Sequence, residues 1–570
     1  MFATAWSFHV TRFRMLVLAT LLAAAAGCGD GSGPGQAIVN CDEVAPTTLA
    51  PGQLELTDAS EIACIRIPEA GAGGADYLYV AYSAAGEESV DGTSAEYQLT
   101  GTAGTPPPAA VVRPGAQAPR FQATAAQRFH SRLRALGQNL ARSRPGARLR
   151  ARGAPSVQAA PPSPNEARTF NVLRSADVAG THPDDYVQVQ STARYVGTHV
   201  AIFLDDAAPV EGGYTQGDLD AIGSLFDDHL HPIDVNAFGS ETDVNGDGMV
   251  LVLLTDRVTR LVGCGQGQIV VGLFFAVDLI EDHVGSNNAE IFYGLTPDVE
   301  CQVDRDEAVR ALPGVFIHEF QHMINYGQHV LQRDGDAEDT WLDEGLAGMA
   351  EELGGRLVPD DRCLDNDCLT QFHSGNFVNA YKYLAQVNSA YLIGPRRPPL
   401  PLTEYGATWL FVRWLSDHFA AEPTLGTDLT RALVQTTRTG SENVVSATET
   451  PFDRLIGEWQ LANYLDDHPD FEDLTAGTRF QYTSWDIREV YASFNQEDPV
   501  TFPSAYPLEP DVFTGDDYVR TGLLPAGSGQ HLLVEQAVSA PALDLLLTSP
   551  DAANALHPDV SPRTILLRLR

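Results

Sequence analysis

The hydrophobic and polar positions between residues 168 and 254 predict a sheet with a helix packed against it. Residues 214–230 carry apolar side chains at helical spacing. Short apolar runs rich in β-branched and aromatic residues are typical of strands, and they occupy residues 169–173, 186–189, 199–204 and 249–254. This region is therefore expected to mix strands and helices around one core.

After residue 300 the pattern becomes mainly helical. Apolar residues on both sides of 318–322 favour a buried helix there. Residues 288–293 are expected to form the edge strand of the sheet before that helix. Further helices are predicted at 404–419, 425–436 and 452–464. From about residue 482 the pattern returns to short β-like runs.

The N-terminal third divides into two regions of different character. Residues 36–105 alternate as strands do between Gly and Pro turns, which predicts a small β-sandwich. Residues 105–166 are rich in Pro, Ala and Arg, and 122–142 have the composition of a basic helix. We expect a linker that acts as a solvated tether. The alternatives are a membrane-surface helix and a helix that docks onto an acidic neighbour.

The charge of the chain limits its partners. The 570 residues carry a formal net charge of −39. Binding to a phosphate backbone requires a basic footprint, so nucleic acid is excluded as an expected partner.

The first residues and the cysteines predict export. A basic start, an apolar run and small residues up to Gly27 have the order of a signal peptide. The sequence then reaches Cys28 in a context that resembles a bacterial lipobox, which predicts lipidation of Cys28 and a membrane anchor. A plain cleaved signal is the alternative. The other six cysteines suit an oxidising compartment, and proximity along the chain favours the pairs Cys41–Cys64, Cys264–Cys301 and Cys363–Cys368.

The motif with specific chemistry is His318-Glu319-Phe320-Gln321-His322. Residues four apart share one face of a helix, so both imidazoles can face one metal ion. Two imidazoles suit zinc. Glu319 points elsewhere around the helix and is placed to act as a general base on metal-bound water. The alternative is a core helix with two satisfied histidines.

The third ligand separates the classes of zinc peptidase. Metzincins require Gly and His where this chain has Asn325 and Gln328, and His329 is interpreted as a surface residue. Residues 341–347, Trp-Leu-Asp-Glu-Gly-Leu-Ala, resemble the segment that supplies a zinc-binding Glu in gluzincins. That resemblance implies the ligands His318, His322 and Glu344, with Glu319 as base.

Residues 168–465 resemble the hyicolysin family of bacterial metallopeptidases. The resemblance includes the zinc segments, the acidic turn before Met249, residues 286–290 and Tyr405-Gly406. It implies a secreted zinc endopeptidase with an α+β zincin-like domain, in which a mixed sheet and an active-site helix precede a mainly helical lobe. The expected division is a signal peptide at 1–27, a β-sandwich-like domain at 28–104, a linker at 105–166, the metallopeptidase subdomain at 167–355, a helical subdomain at 356–480 and a β-rich region at 481–570.

Other residues have less specific signals. Glu351 lies on the same helical face as Glu344 and is expected to orient a ligand His, with a solvated Glu as the alternative. Tyr405 is the first choice for a donor to the oxyanion, ahead of His373. Asp243, Asn245 and Asp247 resemble the start of a calcium loop, but a tight turn entering a strand is favoured over calcium.

The function expected from these features is hydrolysis of peptide bonds by attack of zinc-bound water, with Zn²⁺ and, as a second expectation, Ca²⁺ as cofactors. The substrate is a protein or peptide. The alternatives are a zinc aminopeptidase and a non-catalytic surface lipoprotein that binds or scaffolds other molecules.

Overall fold

A computed structural model describes residues 41–61, 63–103, 125–143, 159–264, 269–396, 402–550 and 554–570. All of them fall within one of the two units into which the chain divides, residues 39–570. The predicted signal peptide and Cys28 lie outside the described residues. No helix in the described ranges has the length and apolar character needed to cross a bilayer.

The first elements are four strands and one helix. The strands are β1 (Leu54–Asp58), β2 (Ala63–Ile67), β3 (Ala75–Ser83) and β4 (Ser94–Ala103). Helix α1 (Ala125–Ser143) forms within the predicted linker, where Ala, Leu and Arg favour a helix. Its buried residues Phe129, Leu133 and Leu140 lie on one face and join the core of the following sheet. The prediction of a solvated tether is therefore wrong for these residues, because this apolar face is buried against the sheet.

The central sheet has six strands in the order β5-β6-β7-β8-β10-β9. They are β5 (Ala167–Leu173), β6 (Tyr186–Val196), β7 (Val200–Asp205), β8 (Val250–Leu254), β9 (Gly272–Phe274) and β10 (Ile291–Gly294). Strand β8 is parallel to both β7 and β10, whereas the other pairs are antiparallel. The predicted edge strand is therefore wrong in position, because β9 continues the sheet beyond β10 and forms the edge itself.

Three short helices connect these strands. They are α2 (Gln216–Leu225), α3 (His231–Phe238) and α4 (Asp256–Arg260), and one π-helical turn joins α2 to α3. The side chain of Thr215 accepts a hydrogen bond from the backbone N–H of Asp218 and caps α2. The helix predicted at 214–230 is thus present but changes geometry at Phe226.

Helix α5 (Arg305–Tyr326) runs across the sheet. Asp304 and Glu307 form a capping box at its start. On its inner face, Phe316 contacts Phe292 of β10 edge-to-face with the ring centroids 5.1 Å apart. This packing sets the helix against the sheet edge that contains β9.

The helical region that follows contains eight helices in the described residues. They are α6 (Thr340–Leu357), α7 (Cys368–Leu384), α8 (Leu402–Phe419), α9 (Thr427–Val434), α10 (Gly440–Thr448), α11 (Phe452–Leu465), α12 (Glu472–Thr475) and α13 (Ile487–Glu497). The helices predicted near 404, 425 and 452 correspond to α8, α9 and α11.

The last strands complete a sandwich with the first ones. They are β11 (Asp511–Phe513), β12 (Tyr518–Pro525), β13 (Gly529–Gln536), β14 (Leu543–Thr548) and β15 (Pro562–Arg568). The two sheets have the orders β1-β15-β3-β13-β11 and β12-β4-β14-β2.

The prediction of separate β regions at 28–104 and 481–570 is therefore wrong. Within the described residues, each of β1 to β4 pairs only with strands from the C-terminal region. Every residue of β3 is buried, so this strand needs a partner on each side, and β13 and β15 provide them.

Disulfide bonds join Cys41 to Cys64, Cys264 to Cys301 and Cys363 to Cys368. These are the three pairs that proximity along the chain favoured.

Candidate metal centre

Two helices bring three donor atoms together. His318 and His322 project from one face of α5, and their Nε2 atoms are 3.1 Å apart. Glu344 of α6 places Oε2 at 3.6 Å from His318 Nε2 and 3.5 Å from His322 Nε2. Tetrahedral zinc ligands at ordinary bond lengths lie about 3.3–3.5 Å apart, so the three donors fit one zinc ion.

The other nitrogen of each imidazole faces a carboxylate. His318 Nδ1 is 2.7 Å from Glu351 Oε1, and His322 Nδ1 is 3.0 Å from Asp343 Oδ1. A carboxylate at Nδ1 favours the tautomer with its proton on that atom, which leaves the Nε2 lone pair for a metal. Glu351 thus lies where the sequence predicted an orienting carboxylate.

Two amides hold these carboxylates in turn. Asn376 Nδ2 donates to Glu351 Oε2 at 2.7 Å, and Asn325 Nδ2 donates to Asp343 Oδ1 at 2.5 Å. Asp343 and Asn325 were not predicted to take part in the site. Asp343 directly precedes Glu344, and that adjacency was the signal available in the sequence.

Glu319 lies beside the donor cluster without belonging to it. Its Oε2 accepts a hydrogen bond from the backbone N–H of Phe274, the last residue of β9, at 2.6 Å. The residue is 4% exposed. The sheet edge therefore fixes one carboxylate oxygen of Glu319 and leaves the other oxygen without that constraint.

The position of Glu344 depends on close packing of α6 against α8. A Cβ atom at Gly345 would lie 2.9 Å from the carbonyl oxygen of Thr408, so only glycine fits this approach. Two helical turns further along α6, the fully buried Glu352 accepts hydrogen bonds from Arg413 and from the Trp409 indole of α8. These contacts fix how far Glu344 reaches towards α5.

Glu344 is held in its charged form. Burial alone favours the neutral acid, but Arg134 and His322 keep the pKa of Glu344 well below its ordinary value. An ionised carboxylate is the form that binds a metal ion.

Tyr405 lies near the beginning of α8 and is half-buried. Burial raises its pKa, and the negative charges of Glu344 and Glu319 raise it further. Tyr405 is therefore a neutral hydrogen-bond donor within the electrostatic reach of the site. His373, the second choice for this role, is fully buried among the aromatic rings of Phe377, Trp409 and Trp485.

Helix α1 adds a group that the sequence did not assign to the site. Arg134 Nε is 3.0 Å from Glu344 Oε1 and 3.6 Å from Asp343 Oδ2. One turn earlier, burial lowers the pKa of His130 to about 4, against the opposing charge of Glu319. The Arg-rich composition of residues 105–166 was the available signal, but it did not single out Arg134.

The predicted calcium loop has the geometry of a turn. Asn245 Oδ1 accepts a hydrogen bond from Asp247 N, and Asp247 Oδ1 accepts one from Met249 N, both at 2.9 Å. Asp243 Oδ1 accepts from Gly248 N at 3.2 Å. These hydrogen bonds are those of a tight turn that enters strand β8, the interpretation that the sequence favoured over calcium.

The interpretation of His329 as a surface residue is wrong. His329 is 0% exposed, and its Nε2 lies 3.7 Å from Glu338 Oε2. It is buried because α5 continues as a π-helical turn through Gly327–Gln332 instead of ending at the surface.

Among curated proteins, the chain is similar to the neutral metalloprotease ShpI of Staphylococcus hyicus. The two are 24% identical over 248 residues, which are 43% of this chain and 52% of the relative. The chain thus matches about half the length of that relative. No protein-family model matches the chain. The similarity supports a relationship to metallopeptidases in general.

Proposed function

We propose that this chain is a zinc-dependent endopeptidase. The observation that carries the proposal is the arrangement of His318, His322 and Glu344 around one point, with Glu319 beside it. The distant similarity to a neutral metalloprotease supports the same reaction class. Two nitrogens and one carboxylate oxygen form a donor set typical of catalytic zinc, which retains one open position.

A bound zinc ion would supply Lewis acidity, which lowers the pKa of water and polarises a peptide carbonyl. The residues of the chain supply the proton transfers. Glu319 takes a proton from the attacking water and delivers it to the leaving amine. Because Oε2 accepts the hydrogen bond from Phe274 N, we assign the proton exchange to Oε1.

Tyr405 is proposed as the donor to the negative charge that develops on the carbonyl oxygen. A neutral phenol can donate a hydrogen bond throughout the reaction, and the raised pKa keeps Tyr405 neutral. Glu351 and Asp343 act as positioning residues because they set the tautomer and orientation of the two imidazoles.

The arrangement favours an endopeptidase over an aminopeptidase. An aminopeptidase needs acidic groups to bind the free amine of its substrate. The neighbouring carboxylates Glu351 and Asp343 instead face imidazole nitrogens. A non-catalytic scaffold is disfavoured because Glu319 is present and oriented by a backbone hydrogen bond.

Export and lipid anchoring are part of the proposal and rest on sequence alone. The segment before Cys28 has the order of a lipoprotein signal. Lipid on Cys28 would hold the enzyme at a membrane of the cell envelope. Three disulfide bonds suit an oxidising compartment.

Cleavage of casein by the zinc-loaded chain tests the reaction. The Glu319→Gln variant should bind zinc as wild type does but lose at least about 100-fold in rate, because the general base is absent. The control is Glu307→Gln, which changes an exposed Glu on the same helix to a residue that also forms a capping box. Equal cleavage by Glu319→Gln and wild type would refute the mechanism.

A further inference from the structure

Helix α1 reaches the proposed catalytic centre through Arg134. The guanidinium contacts Glu344 and Asp343, and a terminal nitrogen lies 4.0 Å from Oε2 of Glu319, the proposed base. The Arg134 side chain is 9% exposed. A cation from outside the metallopeptidase region thus lies among three carboxylates of the site.

The two oxygens of Glu344 have different partners. Oε2 faces the imidazole nitrogens of His318 and His322, whereas Oε1 accepts the hydrogen bond from Arg134 Nε at 3.0 Å. A metal ion on Oε2 and the guanidinium on Oε1 are therefore compatible. Helix α1 therefore leaves the three donor atoms available to a metal ion, while its Arg134 also lies 4.0 Å from Oε2 of Glu319, the proposed base.

The helix is held along its length and not only by one arginine. Its buried face, with Phe129 and Leu133, packs in the same core as Phe275 and Val277 of the segment after β9. Gln138 Nε2 donates to the carbonyl oxygen of Glu338 at 3.3 Å, just before α6. Apolar burial and a polar contact next to the ligand helix make this a specific docking surface.

The charges of helix α1 and of the proposed catalytic site are complementary. Glu319, Asp343 and Glu344 lie close together at the proposed catalytic site. A buried carboxylate without a counter-charge destabilises the folded chain. Arg134 supplies that counter-charge when α1 is docked. A substrate that enters the cleft has to displace the contacts of Arg134 with these carboxylates.

We propose that α1 is an intramolecular inhibitor, which binds across the catalytic cleft through Arg134 in place of substrate. The proposal rests on the proposed endopeptidase function. Because the helix belongs to the same chain, its effective concentration at the cleft is high. Substrate and active-site ligands bind only to the fraction of molecules in which the helix has left, and their apparent affinity falls by that fraction.

Binding of a dipeptide hydroxamate to the zinc-loaded full chain tests this without catalysis. If α1 is undocked in about 1–10% of wild-type molecules, Arg134→Gln should bind the probe about 10–100-fold more tightly than wild type. Casein hydrolysis should show a lower KM. The matched control is Arg128→Gln, which removes an exposed arginine from the same helix and should match wild type.

A second variant covers the case in which Arg134→Gln does not fold. Leu133→Glu places a carboxylate on the buried face of α1, where Leu133 and Asp343 line the same cavity. It should expel the helix and tighten hydroxamate binding in the same direction. Zinc content and melting temperature identify the folded, loaded samples for both variants.

The outcomes separate the two proposals. If folded, zinc-loaded variants bind the hydroxamate no more tightly than wild type, the inhibitory role of α1 is wrong, even where casein cleavage depends on Glu319. If the variants bind the probe more tightly but neither they nor wild type cleave casein, α1 covers the site and the proposed peptidase function fails.

Discussion

Replacing Glu351 by Gln tests whether this carboxylate tunes the metal site through His318. In the structure Glu351 Oε1 lies 2.7 Å from His318 Nδ1, and Asn376 holds the second oxygen. Glutamine keeps a carbonyl acceptor at the same reach but removes the negative charge. The His318 imidazole then becomes a weaker metal ligand, because a neutral partner at Nδ1 makes the ring less basic than a carboxylate does.

The expected loss of zinc affinity depends on how far solvent reaches the His318–Glu351 pair. Loss of such an outer partner typically costs about 10–100-fold in metal affinity. The side chains of His318 and Glu351 are each 20% exposed, so solvent screens part of their interaction. We therefore expect the lower end of the range, about tenfold, which corresponds to about 1.4 kcal/mol.

The assay is competition for zinc between the purified chain and a chromophoric chelator. The control is Asp306→Asn, which makes the same change of charge at an 86% exposed position on the helix that carries the histidines. Zinc affinity of Glu351→Gln equal to that of wild type and of the control would refute the claim that Glu351 acts on the metal through His318.

Two further changes test other parts of the site and its surroundings. Tyr405→Phe should lower kcat for casein by about 100-fold, the cost of one lost oxyanion donor, while zinc content and KM stay as in wild type; a kcat within twofold of wild type would show that the oxyanion has another donor. Burial raises the pKa of Asp278 from its ordinary value of 3.8 to about 7, so the folded chain binds a proton in this window that the unfolded chain has released. Stability therefore falls as pH rises from about 4 to about 7, by at most about 4 kcal/mol from this group. Asp278→Asn should flatten that part of the pH profile of thermal unfolding, and an unchanged slope would mean that Asp278 stays ionised in the fold.

Local spacing predicted the parts of the site that share a helix. The four-residue spacing of His318 and His322 and the seven-residue spacing of Glu344 and Glu351 place each pair on one face. In the structure each pair shares a helical face, and packing of α6 against α5 brings the two pairs together. Glu344 itself needed a family resemblance, because nothing local connects it with the histidines across the turn.

The parts that were missed depend on contacts between distant segments. Asp343 lies 3.0 Å from Nδ1 of His322 because α6 packs against α5, a contact that the sequence does not specify. A basic helix was predicted within 122–142, and docking onto an acidic neighbour was one of its alternatives. The choice of Arg134 as the residue that enters the site depends on how the apolar face of α1 meets the sheet edge.

Strand pairing was the part of the fold that was hardest to predict from the sequence. The alternation around Leu78 predicted a strand correctly, but period alone does not identify the partner of a strand. The structure pairs Leu78 with Leu533 and Leu567, both from the far end of the chain. Residues 36–105 therefore looked like a complete domain although their described strands do not pair with one another.

The joint sandwich has a consequence for the order of folding. Ser83 Oγ donates a hydrogen bond to the carbonyl oxygen of Val560, a residue 477 positions later. Contacts of such high sequence separation form late, because the entropy of closing the loop must be overcome first. During synthesis, β1 to β4 emerge long before their partners exist and present open strand edges. Along the chain, α1 and the helices with His318, His322 and Glu344 lie between the two halves of the sandwich. They can therefore assemble while both ends of the chain are still unpaired, and strand pairing then joins the two ends.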